Sequence, residues 1–191
     1  VPFVGAHEAW RRGRTTLTGR GVRIGIIDSG IDYHHANFGG SGNIDDYDNN
    51  DPETIEPGSF PTAKVVGGFD FSGDDYVGGA VGNPDPDPLD CWLNGHGTHV
   101  AGIAGGFGVL TNGTTFSGTY STALDFSSFE IGPGVAPEAE LYALKVFGCF
   151  GSTQLLLDAL EWAADPNDDG DFSDRLDVVN ISLGTSFGVF H

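Results

Sequence analysis

The run Val22-Arg23-Ile24-Gly25-Ile26-Ile27 is short, largely β-branched and has no consistently polar face, and it ends in Asp28-Ser29-Gly30. A strand that is apolar on both faces belongs in the middle of a parallel sheet, with helices covering it above and below. The segments 64–71, 139–147 and 176–183 read as further strands. Between them, 97–105 (GTHVAGIAG) is a small-residue helix, and 152–164 (STQLLLDALEWAA) has apolar residues at helical spacing, with Ser152 or Thr153 as its N-cap. Strand, helix, strand, helix, strand predicts an α/β fold with a mostly parallel sheet. Residues 5–12 read as a short helix and 16–21 as a polar turn, while 39–62, 72–94, 107–134 and 165–175 read as loops. Proline at every second position of Asn83–Pro88 excludes helix there. No internal repeat is present, and 191 residues make one domain or most of one.

The charge balance narrows the function classes. Eight Lys+Arg against 27 Asp+Glu give a net charge of −19. Such a field repels nucleic acid and anionic membrane and attracts cations, so neither is expected as a partner. No window approaches the roughly 18 apolar residues of a membrane span. Val1–Trp10 lacks the basic start and apolar run of a signal peptide, so an exported protein would have already lost its targeting segment. The two cysteines, Cys91 and Cys149, permit one disulfide, with two free buried thiols as the alternative.

In open α/β sheets, sites form at the carboxyl ends of strands. Asp28 ends the first strand, His96 begins the small-residue helix, and Ser182-Leu183-Gly184 ends the last strand. A carboxylate that fixes an imidazole tautomer, and an imidazole that takes a nucleophile's proton, are two thirds of an acyl-transfer triad.

The blocks GIIDSGID around Asp28, NGHGTHVAG around His96 and DVVNISLG around Ser182 resemble, in order, the motifs of the subtilisin-like (S8) serine peptidases. The stretches VGGFDFSGDDY, PDPDPLDC, IGPGVAPEAELYALKVFGCFGST and DPNDDGDFSDRLDVVNISLG are similar to large secreted bacterial subtilases that carry a protease-associated domain insert. The resemblance implies the N-terminal portion, 1–191, of a catalytic domain with a subtilisin-like three-layer fold, incomplete here. It implies that Asp28 and His96 are catalytic, and that Ser182, Leu183 and Gly184 on one side and Gly151, Ser152 and Thr153 on the other pair with a peptide substrate. The implied activity is endopeptidase cleavage of proteins through an acyl-enzyme. The family's oxyanion Asn and its G-T-S-M-A serine are not found in the sequence; Ser186 lies in no such motif. The expectation is that the remaining C-terminal part of the same protease supplies both and covers the exposed sheet, and that these 191 residues alone are inactive. An inert calcium-binding or peptide-binding fragment of a subtilase is the alternative. The implied fold also brings Cys91 and Cys149 to the same end of the cleft, which favours the disulfide and fits a secreted protein.

Calcium is the expected cofactor. Asp165, Asn167, Asp169, Asp171 and Asp174, with Gly170 at the sixth position, resemble the start of an EF-hand-type loop, although Leu176 stands where the bidentate Glu would be. A second cluster, Asp45, Asp46, Asp48, Asn50 and Asp51, has similar density without the Gly. Asn37 matches a position where many family members place a calcium-binding Asp. His99 reads as a structural, hydrogen-bonded histidine, and His34 and His35 as surface or supporting residues. Ser29 is expected to serve local structure.

Overall fold

The computed structural model describes residues 3–11 and 17–184. The chain runs α1 (Ala6–Ala9), β1 (Arg23–Asp28), α2 (Ile44–Asp48), β2 (Val65–Asp70), α3 (His96–Gly105), β3 (Val109–Leu110), β4 (Phe129–Ile131), β5 (Glu140–Lys145), α4 (Leu156–Ala164) and β6 (Val178–Asn180). The main sheet has the order β2-β5-β1-β6, and every pairing in it is parallel. β1, the run apolar on both faces, lies inside it, as its composition requires.

The alternation of side chains along β1 and β5 separates two cores. Ile26, Leu141 and Ala143 face α3 through Ala101, together with Tyr33, Phe38 and Val65. Ile27, Leu144 and Val146 face α4 through Ala159 and Ala163, with Leu155 and Leu176. The sheet is therefore the middle of three layers, an α/β architecture. No helix among the described residues is long and apolar enough to cross a membrane.

The sequence reading needs correction at several boundaries. Neither Ser152 nor Thr153 is the N-cap of α4. That place falls to Leu155, and the Thr153 hydroxyl instead accepts a hydrogen bond from the Leu155 N–H at 3.0 Å. The loop 39–62 contains the short helix α2, capped by Asn43, whose side chain accepts from Asp45 N–H. The loop 107–134 contains the antiparallel pair β3–β4. The last strand is shorter than 176–183, so Ser182–Gly184 follows β6 rather than ending it. Residue 12 of the expected first helix, residue 16 of the expected turn and Ser186 lie outside the described residues.

Among the described residues two apolar surfaces are uncovered. β6 forms one edge of the sheet, with Val178 and Ile181 exposed. Beside α3, Ile103, Ile131 and Val135 line a cavity of about 560 Å³ that also takes in His99.

Candidate active site

Asp28, Lys145 and Asp70 stand in one row across the carboxyl ends of β1, β5 and β2. The Asp28 side chain is 1% exposed, and its Oδ1 lies 2.7 Å from Nδ1 of His96, whose side chain is 50% exposed. The same Oδ1 accepts from the Ser29 N–H at 2.8 Å. The carboxylate thus holds the imidazole by Nδ1, and among the described residues Nε2 makes no hydrogen bond, an arrangement that can accept a proton there.

Several local devices put His96 there. Gly95 is left-handed, with φ 66°, and turns the chain into α3. The Ser29 hydroxyl accepts from the Gly97 N–H at 2.9 Å. The Asp90 carboxylate accepts from both the Thr98 N–H (2.9 Å) and the Thr98 hydroxyl (2.6 Å). Together they satisfy two of the open donors at the helix start. Gly97 is needed because a Cβ there would lie 2.2 Å from the Gly30 carbonyl oxygen and 3.1 Å from Asp28 Cβ. The helix start presses directly on the end of β1, and this closeness sets the Asp28–His96 distance. Ser29 serves local structure, as expected. The role of Asp90 has no local signature in the sequence, because the carboxylate lies eight residues before the Thr98 donors it accepts from.

Cys91 and Cys149 form a disulfide, with Cα atoms 5.4 Å apart and a sequence separation of 58. It ties the loop before His96 to the segment carrying Gly151, Ser152 and Thr153. That segment also leans on residues 74–77: Cys149 N–H donates to Asp74 O at 2.9 Å and Ser152 N–H to Val77 O at 3.3 Å. A Cβ on Gly151, which has φ 102°, would lie 2.3 Å from Val77 O. Ser182 and Gly184 are exposed, Leu183 is half-buried against the α4-side core, and the Ser182 hydroxyl donates to Asn180 Oδ1. Replacing both cysteines with serine is expected to cost about 4 kcal/mol by the loop-entropy relation. Urea unfolding checks this, and an unchanged midpoint would refute it.

Beneath the disulfide lies a buried ion-pair group. Lys145 Nζ is 2.8 Å from Asp70 Oδ2 and 2.5 Å from Asp74 Oδ1. Asp70 Oδ1 accepts from Ser72 N–H, the Ser72 hydroxyl and Gly73 N–H at 2.7–2.8 Å. Nearby, Asp87 is fully buried and accepts from the Tyr33 hydroxyl, Asn50 Nδ2 and Leu89 N–H.

Burial is the largest cause of upward shifts at Asp32, Asp87 and Asp90, and it pushes Asp85 up to about 6 with help from Asp70. A carboxyl raised on folding binds more protons folded than unfolded. Its contribution is therefore present below the unfolded value near 3.8 and is lost as pH rises, for Asp85 through about 6. Asp85→Asn is expected to flatten the fall in stability between about pH 4 and 6. Thermal melts across that range check this; an unaltered slope would exclude Asp85 as the cause.

The expected calcium residues do not gather uniformly. In the loop 165–174, Asp165 accepts from Asp169 and Gly170 N–H, Asp169 from Asp171 N–H, and Asp171 from Ser173 N–H; Asp174 Oδ1 is buried without a hydrogen-bond partner. The donors are all oxygens, the right chemistry for a hard cation. In the second cluster, Asp45, Asp46 and Asp48 lie on α2, while Asn50 follows it and donates to Asp87, so part of the expected loop is a helix. Asn37 is buried in a structural role: its Oδ1 accepts from Gly108 N–H at 2.7 Å and its carbonyl from Phe107 N–H. His99 is exposed, and among the described residues its ring makes no hydrogen bond. His34 is buried, with Nε2 3.2 Å from Asn50 Oδ1, and His35 Nδ1 accepts from Asn37 N–H.

The sequence model of the subtilase family matches residues 19–189. The chain belongs to that family. It is 31% identical over 192 residues to the minor extracellular protease Vpr of Bacillus subtilis (strain 168), covering 97% of this chain and 16% of Vpr. It is 30% identical over 191 residues to subtilisin DY of Bacillus licheniformis, covering 98% of this chain and 45% of that protein. The chain thus spans less than half the length of either relative. A solved protease structure from Pseudoalteromonas arctica PAMC 21717 overlays 87% of this subtilase chain and 42% of its own, with a TM-score of 0.50 and 24% identity, a likeness of fold.

Proposed function

We propose that this chain is the N-terminal portion of the catalytic domain of a secreted subtilisin-like serine endopeptidase. The observation that carries the reading is the buried Asp28 carboxylate 2.7 Å from Nδ1 of a half-exposed His96, at the carboxyl end of a parallel sheet. In the proposed cycle the remaining polypeptide supplies a serine. Its hydroxyl oxygen attacks the scissile carbonyl carbon while its proton passes to His96 Nε2, and the same proton then goes to the leaving amine. Water repeats the sequence on the acyl-enzyme, and an asparagine from the remaining polypeptide stabilises the oxyanion. Gly151–Thr153 and Ser182–Gly184 pair with the substrate by strand addition. The open edge of β6 and the apolar cavity beside α3 are the surfaces that the same remaining polypeptide covers. The disulfide fits an oxidising compartment.

The test is an active-site phosphonate probe applied to the longer protein. Labelling of a serine beyond residue 191, with hydrolysis of casein, is the expected result. Labelling within residues 1–191, or casein hydrolysis by the 191-residue chain alone, would overturn the reading.

We also read Asp165, Asn167, Asp169, Asp171 and Asp174 as a calcium loop. The all-oxygen donor set and the unpartnered Asp174 oxygen support this; no three of these carboxylates offer ligand atoms within 4.8 Å of one another, so the loop would have to tighten about the ion. Bound calcium would supply charge neutralisation to the loop between α4 and β6. A melting temperature unchanged by chelator would count against it.

A further inference from the structure

Next to the catalytic histidine lies a recess that the proposed triad does not use. Two adjoining cavities, of about 450 and 220 Å³, share Tyr47, Asp90, Cys91 and Trp92 as walls. The larger adds Asp48 and Asp74; the smaller adds Asp32, Thr98 and Gly95, the residue before His96. Through Cys91 the recess is bonded to Cys149 and the expected substrate edge. It therefore sits between that edge and His96.

Its chemistry is one-sided. Asp90 is 2% exposed; its Oδ2 is spent on Thr98, while its Oδ1 is buried without a hydrogen-bond partner. Tyr47 donates its hydroxyl to the Asp90 carbonyl. Burial first, then the fields of Asp32, Asp90, Asp74 and Asp48, push the Tyr47 hydroxyl well above its ordinary value, so all four carboxylates bear on this one ring. Asp74 is met by Lys145, which also serves Asp70, and Asp32 accepts from the His34 and His35 N–H groups. Among the described residues no lysine or arginine lines the recess.

We propose that this recess is a subsite for a lysine or arginine side chain of the peptide substrate. An apolar stem would lie along Trp92 and Tyr47, and the charged head would meet the exposed Asp48, within the field of the Asp32, Asp74 and Asp90 carboxylates that line the recess. A divalent ion fits less well. Among the described residues the only three His, Cys, Asp or Glu side chains with ligand atoms within 4.8 Å of one another are Asp74 and the two bridged cysteines. The separated carboxylates suit a long side chain with several donors, and the aromatic walls suit an organic cation. The subsite rests on the proposed peptidase function.

The experiment compares the longer protease on matched peptide sets carrying lysine or norleucine at each position near the scissile bond. It is repeated with Asp48→Asn and with Trp92→Ala; Asp90 is left intact because it caps α3. At one position the kcat/KM ratio of lysine to norleucine is expected to reach about tenfold, to fall severalfold in each variant, and to shrink with added salt. A ratio near one at every position overturns the subsite and leaves the peptidase reading standing. A ratio that persists in both variants overturns the placement at this recess. Cleavage of neither peptide set removes the peptidase reading itself, and the subsite with it.

Discussion

Asp28→Asn in the longer protease should lower kcat by about 10⁴-fold, the scale of loss seen when a triad loses this carboxylate. The amide is nearly isosteric, so the packing of β1 against α3 survives. What changes is the partner offered to His96 Nδ1, which is 2.7 Å from Asp28 Oδ1. An amide NH₂ turned toward the ring favours the tautomer with its proton on Nε2, where it can accept none from a serine. The KM should stay within a few-fold, because Asp28 is almost wholly buried and touches no substrate. Steady-state kinetics on a chromogenic peptide checks the rate, and ring-nitrogen NMR of His96 checks the tautomer. A kcat loss of less than tenfold would show that Asp28 does not orient the base.

Lys145→Met should be strongly destabilising. Lys145 is 1% exposed and Asp70 is fully buried. Methionine keeps much of the stem volume and removes the charge, which strands the Asp70 carboxylate in the interior. Breaking a buried pair from one side costs about 3–5 kcal/mol. For a domain of this size that corresponds to a fall in Tm of about 10 °C. The loss should reach the cleft as well, because Asp74, the second partner of Lys145, accepts from Cys149 N–H beside the expected substrate edge. Calorimetry on the longer protein measures the fall, and adding Asp70→Asn should recover part of it. A Tm shift below about 2 °C would mean that the pair contributes nothing net.

The fold class was legible because a two-faced apolar run such as 22–27 has few places to go except the middle of a parallel sheet. That Asp28 and His96 should meet was an expectation from the family resemblance of their blocks, and the structure places the two side chains 2.7 Å apart. The disulfide became an expectation only through the family resemblance, and the structure forms it. The reading went astray where local signals compete. A serine and a threonine before α4 look like caps, yet the helix starts only after Leu155, whose N–H the Thr153 hydroxyl accepts from. The polar, Gly- and Asp-rich stretch 39–62 looks like loop throughout, yet Asn43 caps the short helix α2 within it.

What the sequence alone determined are therefore properties carried by neighbours along the chain. These are the alternating α/β order, the strand that ends in Asp28, the helix that begins at His96 and the strongly negative charge. Only the tertiary structure decided which distant groups share a buried environment. It joined Asp90 to the start of α3, Lys145 to Asp70 and Asp74, and Asp32, Asp74 and Asp90 to the recess beside Tyr47. The reason is physical: a helix cap or an ion pair requires only closeness in space, and no spacing along the chain encodes it. Burial then gives each such contact its energy, because a carboxylate costs little in water and much inside a protein.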